Sequence, residues 1–246
     1  MPPFIDAHAH LDRFPNPAGA VSAAKAAGCI AIVTSGYTLE ASKRALELSS
    51  QFPGYVFPVI GIAPSVAMDL SEAELEPQLD FIRANSPRAV AIGEIGLDFH
   101  WATRKEQIDR EQSAFAAQLE FALSADRPLV IHSRKAEKEC LDLLISAGAR
   151  KVLLHFFSGT PELAKIAADS GFFVTTPPVK STSRRRMLAE FPPELILLES
   201  DSPYVAKTPS GAAEAASLVA EAKGISIEEA LISATENAKR FFGLHL

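Results

Sequence analysis

Eight short runs rich in β-branched and aromatic residues recur along the chain, at Phe4–His10, Ala31–Gly36, Val56–Ile62, Val90–Asp98, Leu129–Ser133, Val152–Phe157, Phe172–Thr176 and Leu195–Asp201. Most are almost continuously apolar rather than alternating, the pattern of strands covered on both faces by helices, as in a parallel sheet. Between them lie segments rich in Ala, Leu and Glu with helical period, such as Gln107–Ala125 and Ala136–Ala147. Several open on Ser, Thr or a first-turn proline, as in Thr160-Pro161-Glu162. A side-chain oxygen there can cap free backbone amides, and proline forfeits no helical hydrogen bond. The chain reads as strand then helix, eight times over.

Eight such units in 246 residues match the size of a (β/α)₈ barrel, and right-handed crossovers leave few other ways to arrange so many parallel strands. A doubly wound open sheet is the structural alternative. No composition break, Gly/Ser-rich linker or internal repeat divides the chain, so the expectation is a single-domain α/β TIM barrel over residues 1–246. With 48% hydrophobic and 22% charged residues the chain can bury a large core, which excludes disorder. A net charge of −6 means that any contact with a polyanion must come from a local patch. Cys29 and Cys140 sit in apolar or helical surroundings and read as buried thiols in a reducing compartment. The opening MPPFIDAHAH lacks the basic and apolar regions of a secretory signal. No apolar run approaches the ~18 to 20 residues of a membrane span. These features point to a soluble, cytoplasmic protein with no membrane association.

In a barrel, functional residues stand at the C-terminal ends of the strands, and the unusual polar residues fall there. His8 and His10 close the first run in Asp6-Ala7-His8-Ala9-His10. Residues two apart on a strand share a face, so both imidazoles point into the mouth, where they can grip one metal. Glu94 in the fourth run, His132 ending the fifth, His155 ending the sixth and Asp201 ending the eighth join them. A carboxylate flanked by Ile and Gly, as Glu94 is, bears a large desolvation penalty unless a cation offsets it. Four imidazoles and two carboxylates exceed one tetrahedral site but suit two adjacent divalent ions sharing a bridging carboxylate. Such a centre is net positive and attracts an anionic substrate. Imidazole favours Zn²⁺, while carboxylate ligands admit Mg²⁺ or Mn²⁺.

Other residues gather around this rim. Arg134 directly follows His132, and its guanidinium could fork onto a phosphate. Ser158-Gly159 could offer a hydroxyl and helix-terminal amides to an anion, although a cap by Thr160 explains the segment nearly as well. Asp98 and Asp6 could orient ligand imidazoles, and Asp98 could instead hold an arginine. The run from Lys180 to Arg186, with Arg184 and Arg185, is the densest basic stretch and would suit a phosphodiester backbone, or form an ordinary solvated first helical turn. Trp101, beside Phe99 and His100, could stack an unpaired base or pack as a lid.

Taken in order, DAHAH, GEIGLD, IHSR, HFFSG and ESDSP resemble the signature of the TatD-type metal-dependent deoxyribonucleases, within the amidohydrolase superfamily of (β/α)₈ barrels. The resemblance spans the whole chain. It implies that His8 and His10 bind one metal and His132 and His155 the other, that Glu94 bridges them, and that Asp201 completes the first site and handles a proton. The fourth run has no lysine, which separates the chain from relatives that bridge with a carboxylated lysine. Family members often carry histidine in a third-strand G-x-H-P motif, whereas this chain reads Gly61-Ile62-Ala63-Pro64. The implied activity is hydrolysis of phosphodiester bonds, removing nucleotides from single-stranded DNA or RNA 3′ ends with metal-activated water, Asp201 as base and no obligate protein partner. The same metal centre acting on an amide, lactone or phosphotriester is the alternative, and a non-catalytic binding protein on this fold is a second.

Overall fold

A computed structural model describes residues 1–246. Its strands are β1 (Phe4–Ala9), β2 (Cys29–Gly36), β3 (Val56–Ile60), β4 (Ala91–Asp98), β5 (Leu129–Arg134), β6 (Val152–Leu154), β7 (Phe173–Thr176) and β8 (Ile196–Leu198). They form one parallel sheet in sequence order from β1 to β8. This is the expected barrel, and the open-sheet alternative is excluded by that order. Several strands stop sooner than the apolar runs do: β1 ends one residue before His10, β6 one before His155 and β8 three before Asp201. His10, His155 and Asp201 therefore sit where the ladder has just released the backbone, while His8, Glu94 and His132 lie within their strands.

Helices flank every strand: α1 (Pro17–Ala26), α2 (Leu39–Gln51), α3 (Pro64–Ala67), α4 (Glu72–Asn85), α5 (Lys105–Ser124), α6 (Glu137–Ser146), α7 (Pro161–Asp169), α8 (Thr182–Glu190), α9 (Ala212–Lys223) and α10 (Ile227–Phe242). Thr160 caps α7 by accepting from the Leu163 amide, as its sequence suggested. The largest core lies between strands and helices, and a smaller one fills the barrel. Ile5, Ala7, Ala31, Val33, Val59, Ala91, Val130, Leu153 and Leu197 meet inside it, and Phe241, Phe242 and Leu244 at the end of α10 plug its base. The small residues Ala7, Ala31 and Ala91 leave room for the larger ones in that layer.

Inward positions switch parity in two strands. In β1 the inward set passes from Ile5 and Ala7 to His8 and His10 across a register shift between Asp6 and Ala9. In β4 it passes from Ala91 to Glu94 across a shift between Ile92 and Ile95. Such irregularities re-aim a side chain beside an active site. Gly96, at φ +136°, follows this shift, and a Cβ there would stand 2.0 Å from the His132 carbonyl oxygen. Glycine lets β4 and β5 close together just where both carry site residues.

No regular ladder joins β8 to β1. That seam is closed by the buried Asp6 carboxylate, which accepts from the Ser200 amide (2.8 Å) and hydroxyl (2.6 Å). The Asp201 amide also donates to the His8 carbonyl (3.0 Å) and the His10 amide to the Ser202 carbonyl (2.8 Å). No helix is long and apolar enough to cross a membrane.

Candidate metal centre at the barrel mouth

The mouth is a cavity of about 750 Å³, and His10, Glu94, His132, His155 and Asp201 line its floor. His8 lies beneath them with no exposed surface. The Nε2 atoms of His8 and His10 are 3.2 Å apart. On the far side of both rings stands Ser35, near the end of β2. Its carbonyl accepts from His10 Nδ1 (3.0 Å), and its hydroxyl pairs with His8 Nδ1 (3.2 Å). A carbonyl only accepts, so His10 carries a proton on Nδ1 and turns Nε2 toward the cavity, where, against burial, Asp201 and Glu94 raise the ring's pKa. Asp201 Oδ1 is 3.4 Å from that atom.

Glu94 faces two ways. Its Oε2 lies 3.7 Å from His8 Nε2 and 4.0 Å from His10 Nε2, while Oε1 lies 2.7 Å from His132 Nδ1. Two groups of donor atoms fall within 4.8 Å of one another: His8, His10 and Asp201, and His8, Glu94 and His155. The structure thus brings His155 onto His8, their rings stacked at 3.6 Å and 14°. His132 stands apart from both triads. Its ring is 6.3 Å from that of His155 and is spanned by two carboxylates, Nδ1 on Glu94 and Nε2 on Asp98 at 2.9 Å.

The charges follow from this packing. Burial, with His155 and His10 beside it, holds the His8 pKa well below the usual imidazole value, so the ring is an uncharged donor. Burial opposes charge on His132 too, but Asp98 and Glu94 outweigh it and push its pKa up to about 10. Glu199 does the same for His155, raised to about 9 against burial. Burial alone would raise Glu94, yet His132, His155 and His8 hold it well below the ordinary carboxylate range. A buried, ionised carboxylate ringed by imidazole nitrogens is a donor set that suits divalent cations.

The sequence offered two roles for Asp98, and the structure shows it on an imidazole, that of His132. Asp6 contacts no imidazole and instead closes the seam. Trp101 and Arg134 meet on the rim, the guanidinium carbon 5.9 Å from the ring centroid, and both line the cavity. Ser158 lines it as well, its hydroxyl donating to Glu137 (2.8 Å). Phe99 packs on the core instead. Neither Arg184 nor Arg185 lines the cavity. Arg184 is 7% exposed, stacked on Phe156 at 4.7 Å and donating to the Phe157 carbonyl, while Arg185 pairs with Glu221 at 2.7 Å. The basic run is the first turn of α8, capped by Ser181, rather than a cavity wall.

Two residues escaped sequence reasoning. Glu199, wholly buried, accepts from His155 Nδ1 at 2.7 Å. It shares the two-residue spacing of Leu197 and Asp201, a signal that alternation could have given. Ser35 is one of two hydroxyl residues closing the otherwise apolar β2, a weaker signal.

Residues 5–243 match the family model described as TatD related DNase. The uncharacterized metal-dependent hydrolase TatD of Mycobacterium tuberculosis is 32% identical over 98% of this chain and 98% of its own length. The 3′-5′ ssDNA/RNA exonuclease TatD of Edwardsiella piscicida is 32% identical over 75% of this chain and 72% of its own. The crystal structure of YJJV, a TatD homologue from Escherichia coli, superposes with a TM-score of 0.85 at 25% identity, covering 98% of each chain.

Proposed function

Because the chain belongs to the TatD-related DNase family, we propose that this barrel mouth removes nucleotides from the 3′ ends of single-stranded DNA or RNA, using a binuclear divalent-metal centre. The observation that carries the reading is the placement of Glu94, whose Oε2 faces His8 and His10 while Oε1 faces His132. A carboxylate with an oxygen toward each side suits a bridging ligand between two ions. His8, His10 and Asp201 would hold one ion, and His155 with His132 the other, once His132 gives up its proton to bind. Such ions supply Lewis-acid polarisation of a phosphate and acidification of water.

The protein's own groups do the rest. Asp201, which lines the cavity 3.4 Å from His10 Nε2, would take the proton of the attacking water. Ser35 and Glu199 fix the imidazoles of His10 and His155 from behind, so that one nitrogen of each is aimed at the centre. Arg134, exposed on the rim, is free to fork onto a phosphate oxygen, and Ser158 would join it by turning its hydroxyl from Glu137. Short loops around a concave mouth accommodate a splayed strand end more readily than an internal duplex bond. That preference agrees with the activity named for the Edwardsiella relative.

The test is a metal titration of the folded protein joined to cleavage of oligonucleotides labelled at either end, with Mg²⁺, Mn²⁺ and Zn²⁺. Two ions per chain and mononucleotide release from 3′ ends are expected, weakening as salt rises. One ion at saturation removes the binuclear centre. Intact oligonucleotides alongside turnover of an amide, lactone or phosphotriester overturn the nuclease reading.

A further inference from the structure

Two tyrosines stand against the metal centre on the side away from Trp101. Tyr37 follows β2 and Tyr204 lies beyond β8; their hydroxyls are 3.0 Å apart, and both line the cavity. Each ring meets His10 edge-on, at 5.2 Å and 5.1 Å. Arg13, in the single turn after β1 (Leu11–Arg13), lies behind the cavity wall, paired with Asp12 at 3.2 Å; its guanidinium carbon is 4.9 Å from the Tyr37 centroid and it donates to the Tyr37 hydroxyl. Strand order sets β8, β1 and β2 across the barrel from β4 and β5, whose ends carry Trp101 and Arg134. The centre therefore lies between two arrangements of the same kind, each an aromatic surface with a guanidinium beside it.

Exposure distinguishes recognition from packing here. Tyr37 is half-buried and suffices to wedge His10, whereas Tyr204 remains 58% exposed and Trp101 55% exposed. Flat rings left open at the lip of a polar cavity suit a base on each ring, with the Arg134 guanidinium free for a phosphate. We infer that Tyr204, braced by Tyr37 and Arg13, forms a second nucleotide subsite across the scissile phosphate from Trp101 and Arg134. Substrate is then gripped by the bases on both sides of the bond that breaks. The inference rests on the nuclease reading proposed above.

The experiment uses metal-loaded protein and single-stranded trinucleotides in which either the 3′-terminal base or its 5′ neighbour is replaced by an abasic analogue. For the wild type, each replacement should lower kcat/KM on the order of ten-fold. Tyr204→Ala should abolish one of these two losses and keep the other, while Trp101→Ala does the reverse. Tyr204→Phe, which keeps the ring, should keep both. Arg13→Ala, which removes the brace from Tyr37, should raise KM for the intact trinucleotide. If the wild type cleaves and both losses persist undiminished in Tyr204→Ala, the second subsite is wrong and the nuclease reading stands. Loss of discrimination in Tyr204→Phe equally overturns a stacking role. If the wild type cleaves no oligonucleotide, both readings fall.

Discussion

Glu199 holds His155 from behind: its Oε2 accepts from Nδ1 at 2.7 Å, inside a carboxylate with no exposed surface. The other oxygen, Oε1, has no hydrogen-bond partner, so His155 is the one side chain hydrogen-bonded to this carboxylate. A carboxylate so placed fixes the tautomer and makes Nε2 a better donor.

Replacing that charge has two readouts. Glu199→Gln keeps an acceptor oxygen but should weaken divalent-ion affinity by roughly 10 to 100-fold, measured by calorimetric titration. In metal-free protein the His155 pKa, pushed up to about 9 against burial by Glu199 and Glu94, should fall, because the cation loses its main counter-charge while burial remains. An NMR titration that leaves it near 9 would refute the assigned cause.

Glu199 also shows where sequence reading stops. The barrel was legible because eight apolar runs and the helices between them carry their own periodicities, and the candidate metal donors because histidine and carboxylate are rare in such runs. The re-aiming of Glu94 was not, since simple alternation from Ala91 would turn it away from the interior, and only the register shift between Ile92 and Ile95 turns it inward. Nor was the partition of imidazoles legible: stacking joins His155 to His8, and Asp98 draws His132 aside, through contacts between distant strands. Arg184 and Arg185 looked like a phosphate surface because a string of charges says nothing about which way a helix faces.

Asp201 is the group proposed to accept the proton. Asp201→Asn keeps the shape and most hydrogen bonds but cannot take a proton, so kcat should fall on the order of 100-fold or more with substrate binding largely kept. At least one ion should remain bound. Single-turnover kinetics at wild-type rate would remove Asp201 from the chemistry.

Asp6 predicts a stability effect separate from catalysis. It joins β1 to the segment after β8 by accepting from the Ser200 amide and hydroxyl, and from the His8 amide at 3.3 Å. Asp6→Ala takes this acceptor from the buried Ser200 and His8 amides and leaves the Ser200 hydroxyl only Ser202, at 2.8 Å, which should destabilise by roughly 3 kcal/mol. Asp6→Asn should lose less than half as much, because its amide oxygen still accepts. Urea unfolding decides it, and equal stabilities for Asp6→Ala and wild type would show that the seam does not depend on this carboxylate.

Glu111 carries a pH dependence whose sign is fixed by its surroundings. It lies on α5 with no exposed surface, one oxygen accepting from the Asp98 amide at 3.0 Å and the other unpartnered. Burial pushes its pKa up to about 7; the bond from the Asp98 amide pulls the other way, and the Asp98 charge adds to the rise. A carboxyl whose folded pKa exceeds its unfolded value stabilises the fold while protonated. That contribution is complete below the unfolded value, near 4.3, and disappears as pH climbs to 7. The rise corresponds to about 4 kcal/mol at 1.36 kcal/mol per pH unit. Glu111→Gln cannot ionise, so its stability relative to wild type should improve by roughly 2 to 3 kcal/mol between pH 5 and pH 8. Taking the difference between the two proteins cancels the titration of the groups that Glu111 does not feel, leaving Glu111 and its coupling to Asp98 and His132. Urea unfolding at the two pH values measures it, and a difference that stays constant would mean that Glu111 is already ionised at pH 5.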